Sequence, residues 1–160
     1  MDRFDLAFHT DAGAFYARVR AIILSGDELL MVRHRKGYFY PVGGKIHQNE
    51  TSFDAVIREV YEETGITMEP ERIGFIHENL YKKGDVPHHE IVIYFYMHTP
   101  ENLREKLLAG VERDELVWLP LSQISDMKNL FPTFFKTRLL APVDHPVHLF
   151  TWENWQSGEE

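Results

Sequence analysis

The stretch from Thr51 to Gly65 constrains this chain more than any other. Thr51 is a residue type that caps helix starts, Asp54 places an acid three positions later, and Phe53, Val56, Ile57 and Val60 recur at helical spacing. Gly65 supplies a C-terminal stop. The spacing predicts a helix over 51–64. On it, Glu59, Glu62 and Glu63 stand three and four positions apart, so Glu59 meets two like charges at roughly 0.2–0.5 kcal/mol of repulsion each. The cluster also falls in the last turns, where unpaired carbonyls already carry partial negative charge. A bound divalent cation reverses both penalties. Hard carboxylate oxygens on one rigid face are what Mg2+ or Mn2+ requires, so the cluster reads as a metal site where local rules yield to function.

At 160 residues, 44% of them hydrophobic, the chain suits one domain over 1–160 with a core of its own. It has no cysteine, which excludes disulfides, thiolate zinc sites and a cysteine nucleophile. The opening stretch, MDRFDLAFHTDAG, carries acids and no apolar core of signal-peptide length, and no run approaches ~20 apolar residues. Neither secretion nor membrane spanning is expected, and a cytoplasmic location follows. The formal charge of −8 opposes binding to a long nucleic-acid backbone, where basic patches supply affinity. A small phosphorylated ligand remains compatible, because a metal ion and a few local bases overcome a negative global field.

Strand patterns run over 16–24 and 28–32, joined by the turn Ser25-Gly26-Asp27, so the two are expected to form a hairpin. A basic stretch, Arg33 to Lys36, leads through Gly37 into Tyr38-Phe39-Tyr40 and a short strand. Strands are expected over 72–80 and 90–98, antiparallel across the turn-prone 82–87 segment. Further on come a helix over 101–109, a strand over 115–119, a helical turn over 122–127, a helix over 134–140 and a last strand over 147–152. The order implies helices around a mixed sheet, an α/β fold. Trp118, Phe134 and Phe135 are expected in the core.

Written out, the central segment is Gly44, five residues, Glu50, seven residues, Arg58-Glu59-Val60-Tyr61-Glu62-Glu63-Thr64-Gly65-Ile66. It resembles the Nudix box, and all nine constrained positions of that signature are met. Such a match arises by chance in on the order of one window in a billion. The resemblance implies an α/β/α sandwich with a mixed central sheet, and hydrolysis of a diphosphate bond in a nucleoside diphosphate joined to another group. It implies Mg2+ or Mn2+ held by Glu59, Glu62, Glu63 and the Gly44 carbonyl, with Glu62 or Glu63 also helping to activate the water. Arg58 and Glu50 read as a bidentate pair that braces the loop against the helix. Many members of the family form dimers, which allows a homodimer here.

Two positions depart from the form many relatives show. His47 stands where a further glutamate is common, which leaves the number of metal ions open. Asn49 stands where glycine often precedes the box Glu, a mild change, because asparagine tolerates positive φ. Lys45, Arg33, Arg35 and Lys36 are candidates for substrate binding as local positive charge for a diphosphate, and Tyr38, with Phe39 and Tyr40, as a stacking surface, although alternation buries at least one of the three rings. His88, His89 and Glu90 are adjacent on a strand and point to opposite faces, so they do not share one ion. Glu78, Glu112, Asp114 and Glu115 are candidates for an additional base. Two rival readings are a nucleotide-binding sensor that no longer hydrolyses, and isomerase chemistry of the isopentenyl-diphosphate type, which relies on a cysteine that is missing here.

Overall fold

The computed structural model describes residues 3–107 and 115–155. In chain order these form β1 (Ala7–Thr10), β2 (Gly13–Ile22), β3 (Leu24–Ser25), β4 (Glu28–Arg33), β5 (Phe39–Tyr40), β6 (Gly43–Lys45), α1 (Ser52–Thr64), β7 (Pro70–Lys83), β8 (Val86–Met97), α2 (Leu103–Leu107), β9 (Glu115–Pro120), α3 (Leu121–Ile124), α4 (Phe135–Arg138) and β10 (Val147–Trp155). The larger sheet runs β1-β2-β8-β7-β10, with β6 also on β2. It is mixed, since β2 lies parallel to β8 and β10 parallel to β7, whereas β7 and β8 are antiparallel. The smaller sheet runs β3-β4-β5, with β9 also on β4.

The expected hairpin between 16–24 and 28–32 is corrected. Only the end of the first segment turns back onto β4, where Leu24 and Ser25 pair with it and the Ile23 carbonyl accepts from the Leu30 amide, whereas β2 enters the other sheet beside β8. The Ser25-Gly26-Asp27 turn, with Gly26 at φ +60°, specifies the pairs next to it and nothing further. Burial then decides, because Val19, Ala21 and Ile23 reach full cover in the cluster that α1 completes. The hairpin of β7 and β8 is longer than the sequence suggests, closing in a two-residue turn at Gly84-Asp85 with Gly84 at φ +61°. The helix expected over 101–109 is observed at Leu103–Leu107, and positions 108 and 109 lie outside the described residues.

Strand alternation gives the larger sheet two unlike faces. Val19, Ala21, Phe95 and Met97 face α1 and pack with Val42, Val56 and Val60. Phe53, expected on the apolar stripe, is 45% exposed, and the buried side of α1 consists of Ala55, Val56, Val60 and Thr64. On the other face, Ile22, Phe75, Tyr94 and Tyr96 pack under α3 and α4 with Ile124 and Phe135. This is the α/β/α arrangement, with the smaller sheet wedged alongside through β4, whose Leu30 and Val32 join the first cluster and Leu29 and Met31 the second. Trp118 packs against the first cluster and Phe134 against the second. Among the described residues no helix is long and apolar enough to cross a membrane.

Candidate active site

Helix α1 begins as its sequence requires. The Thr51 hydroxyl accepts from the Asp54 amide at 3.0 Å, and Gly65 closes the other end at φ +73° with its N–H on the Tyr61 carbonyl. Its buried row is Val56, Val60 and Thr64, so Glu59 and Glu63 lie along the seam between core and solvent, while the Glu62 side chain is 54% exposed. Glu59 leans over the bare Cα of Gly44. A Cβ added there meets its carboxylate oxygens at 2.5 and 2.6 Å, so only glycine leaves this carboxylate its place beside the loop. Burial raises the Glu59 pKa, against the lowering by Arg58.

Arg58 ties the motif together. Its Nε donates to Glu50 Oε1 at 2.7 Å and Nη2 to Oε2 at 3.0 Å, the expected two-pronged pair. Nη1 donates to Glu59 at 2.9 Å and to Glu62 at 3.3 Å, and Nη2 also reaches the Lys45 carbonyl. Burial alone pushes the Glu50 carboxyl up, but the bonds from Arg58 and from the His47 amide outweigh it and hold it below its ordinary value. Asn49 takes φ +64°, the conformation that glycine supplies elsewhere. His47 bridges to Asp5, with Nε2 3.5 Å from that carboxylate. Its ring is neither solvent-exposed nor directed to the cavity.

Among the described residues, no three histidine or acidic side chains converge closely enough to hold a metal ion as they stand, and Arg58 bonds two of the candidate ligands, Glu59 and Glu62. The donor chemistry nonetheless fits a hard divalent cation. All the candidate ligands are oxygens on one helix and its facing loop, and the desolvated Glu59 carboxylate gains from added positive charge.

Beside this helix end a cavity of about 530 Å3 opens on the polar half of the larger sheet, within the range of small-molecule sites. Apolar Phe75, Val92 and Tyr94 give way along the strands to Arg18, Arg20, Asn79, Tyr81 and Glu90, and among the described residues no helix covers this end. Glu63 lines the cavity together with Arg18, Arg20, Lys36, Tyr38, Tyr40 and Phe131. Arg18 donates from Nε to Glu90 at 2.8 Å and lies over the Tyr16 ring; among the described residues only that nitrogen of its guanidinium is bonded. Arg20 is held at Nη1 by the Pro41 and Gly43 carbonyls, both at 3.1 Å, over the Tyr40 ring. Tyr38 stacks on His34, centroids 4.4 Å apart.

At the deep end His77 is 3% exposed, and its Nε2 lies 2.7 Å from the Thr151 hydroxyl. That hydroxyl donates to Asn79 Oδ1 at 2.8 Å, so Nε2 must carry the imidazole hydrogen and Nδ1 is left a buried acceptor without a partner. Burial lowers the His77 pKa from 6.5 to about 4. Between those values the unfolded chain binds the extra proton and the folded one does not, so stability falls as pH drops from 6.5 toward 4. We expect this histidine to contribute about 2 kcal/mol of that loss, discounted for solvent in the cavity. Thermal melts at pH 7 and 4.5 should drop further for the parent than for His77→Phe, by about 4–8 °C. Parallel curves would refute it.

Of the sequence-based substrate candidates, Lys36, Tyr38 and Tyr40 line the cavity, whereas Lys45, Arg33, Arg35 and Phe39 do not. Lys45 pairs with Asp5 at 3.0 Å and Arg33 with Glu115 at 3.5 Å, and Arg35 is exposed. Among the candidate bases, Glu78 pairs with His148 at 2.8 Å on the face away from the cavity, and Glu112 and Asp114 lie outside the described residues. Glu90 joins Arg18 while His89 packs on Phe15 across the sheet, as alternation requires. The sequence reading passed over Arg18 and Arg20. Their signal was legible: two arginines alternate with Val19 and Ala21 on a strand, which places both cations on one face.

A family model described as the NUDIX domain matches residues 15–138, and the chain belongs to that family. By class it is a Nudix pyrophosphohydrolase. It is 29% identical over 121 residues to the uncharacterized Nudix hydrolase YvcI of Bacillus subtilis strain 168, covering 72% of each chain. Among solved structures it is similar to a MutT protein from Methanosarcina mazei Go1, with 28% identity, a TM-score of 0.55, and 76% of this chain and 88% of that one covered. A mutator MutT protein from Bacillus halodurans shares the fold at a TM-score of 0.65 and 18% identity, over 91% and 93% of the two chains.

Proposed function

We propose that this protein, acting as a single cytoplasmic domain, hydrolyses the diphosphate bond of a nucleoside diphosphate linked to another group, with Mg2+ or Mn2+ as cofactor. The observation that carries the reading is that Glu63 of the box helix lines the same cavity as Arg18 and Arg20. Carboxylates that suit a metal thus stand beside cations that suit phosphate oxygens, although the chain as a whole is strongly acidic.

Glu59, Glu62, Glu63 and the Gly44 carbonyl would hold the metal, which when bound draws electron density from the diphosphate and stabilises charge on the leaving group. Arg18 and Arg20 hold the non-bridging oxygens; both are oriented in advance, one by Glu90 and the other by two carbonyls. Glu62 or Glu63 takes the proton of the attacking water on a carboxylate oxygen. The water oxygen bonds to one phosphorus as the bond from that phosphorus to the bridging oxygen breaks, its electron pair passing to the second phosphate. The products are a nucleoside monophosphate and a second phosphorylated compound. Arg58 keeps clear of the substrate and holds the helix to its loop through Glu50.

The test is product analysis with nucleotide sugars, ADP-ribose, dinucleoside polyphosphates and nucleoside triphosphates in Mg2+, with and without chelator. We expect turnover of at least one class and a loss of about a hundredfold or more on chelation. Tight binding with no product after prolonged incubation would point instead to a nucleotide sensor.

A further inference from the structure

The family match ends at residue 138, yet the wall of the cavity does not. Strand β10, which follows it, lies parallel to β7, with Leu149 opposite His77, Thr151 opposite Asn79 and Glu153 opposite Tyr81. Its alternation sends Val147 and Leu149 into the second core cluster and Thr151 and Glu153 into the cavity. One short strand therefore anchors itself with its first two inward residues and furnishes a binding surface with the next two.

That surface is set before any ligand arrives. The hydrogen-bond chain from His77 through Thr151 to Asn79 uses the Thr151 proton and the Asn79 carbonyl oxygen, which leaves the Asn79 amide nitrogen as a donor at the wall. Glu153 accepts only one long hydrogen bond among the described residues, 3.4 Å from the Thr133 hydroxyl. It differs in this from Glu90, whose Oε1 receives both Arg18 and Tyr81. The wall thus offers a carboxylate with a single long hydrogen bond, in a cavity whose two arginines sit across from it on β2 and which Lys36 and Lys83 also line. A ligand with its phosphates on Arg18 and Arg20 would bring its remaining part to this wall.

We propose that β10 is the specificity element of this enzyme: Glu153, with Thr151 and Asn79, selects substrates whose group beyond the diphosphate presents paired hydrogen-bond donors. Vicinal hydroxyls of a sugar and the amino edge of a base share that chemistry. A carboxylate takes two such donors at once, one on each oxygen. A site built to bond a donor rejects an analogue lacking it, because its own polar groups are then left unpaired. The inference rests on the hydrolase reading above and adds which part of the substrate is chosen and by what.

The experiment compares kcat/KM for a nucleotide sugar with that for the same nucleotide diphosphate carrying a methyl group in place of the sugar. A third substrate keeps the sugar and lacks the amino group of the base. Parent, Glu153→Gln and Glu153→Ala are measured alongside, each checked by thermal melt. The parent should prefer the donor-bearing compound over one of the stripped ones by tenfold or more, and which one identifies sugar or base as the source. In both variants that ratio should shrink toward one, more completely in Glu153→Ala. An unchanged ratio in both variants, or no preference in the parent, overturns the proposal. Dissociation constants measured with metal chelated read the same ratio without turnover. Preferential binding without hydrolysis would defeat the hydrolase reading and leave the β10 assignment standing. Hydrolysis without preference would do the reverse, and neither binding nor hydrolysis would overturn both.

Discussion

Replacing Glu62 by glutamine should lower kcat by about two to four orders of magnitude on whichever diphosphate the protein turns over, while leaving its melting temperature nearly unchanged. The two halves of this expectation have separate causes. Glu62 is more than half exposed, and its one ion pair, to Arg58, is 3.3 Å long, a contact of a kind worth about 0–1 kcal/mol. Its removal also relieves the repulsion of Glu59, whose pKa Glu62 helps to raise. The fold therefore loses little. On the proposed mechanism the chemistry would lose one negative ligand for the metal and one of the two candidate acceptors for the proton of the attacking water, contributions of roughly 10²–10⁴ in rate. Steady-state kinetics at saturating Mg2+, with a melt of the same sample, decide the matter. Turnover within about fivefold of the parent would remove Glu62 from the mechanism.

Arg58→Ala should act through stability as well as rate. The change deletes the partner of Glu50, the main partner of Glu59 and the bond to the Lys45 carbonyl in one step. The side chains of Glu50 and Glu59 are only 15% and 13% exposed, so two carboxylates are left with little water and without the guanidinium that bonds them both. Breaking a buried pair from one side costs about 3–5 kcal/mol, and with partial exposure we expect about 3. For a domain of this size that corresponds to a drop of about 6–12 °C in Tm. Arg58→Lys should recover part of the stability and little of the activity, since an ammonium cannot make the two parallel bonds to Glu50. A melt of Arg58→Ala within 2 °C of the parent would show that the brace carries no weight.

Much of this protein was readable from its residues alone. The box helix, its Thr51 cap and Gly65 stop, the Arg58–Glu50 pair and the positive φ at Asn49 all depend on contacts within about ten residues, and local sequence specifies such contacts directly. The edges of β7 and β8 were harder, because Lys82, Lys83 and the residues around the Gly84 turn look like loop until a partner strand supplies their hydrogen bonds. Charge near the motif misled in part. Lys45, Arg33 and Arg35 adjoin the box in sequence, but Lys45 and Arg33 are paired with acids elsewhere and none of the three lines the cavity, whereas Lys36 of the same basic stretch does.

The sequence by itself therefore determined the family, the helix and the carboxylates that suit a metal, since a spacing of three and four along one helix already implies neighbours in space. Only the tertiary structure decided where a substrate would lie. Arg18, His77, Glu90 and Thr151 come from four strands far apart in the chain, and they share a cavity because sheet order, parallel pairing and the face left uncovered by α4 bring them together. Those are outcomes of burying apolar surface across the whole molecule, which no local pattern encodes.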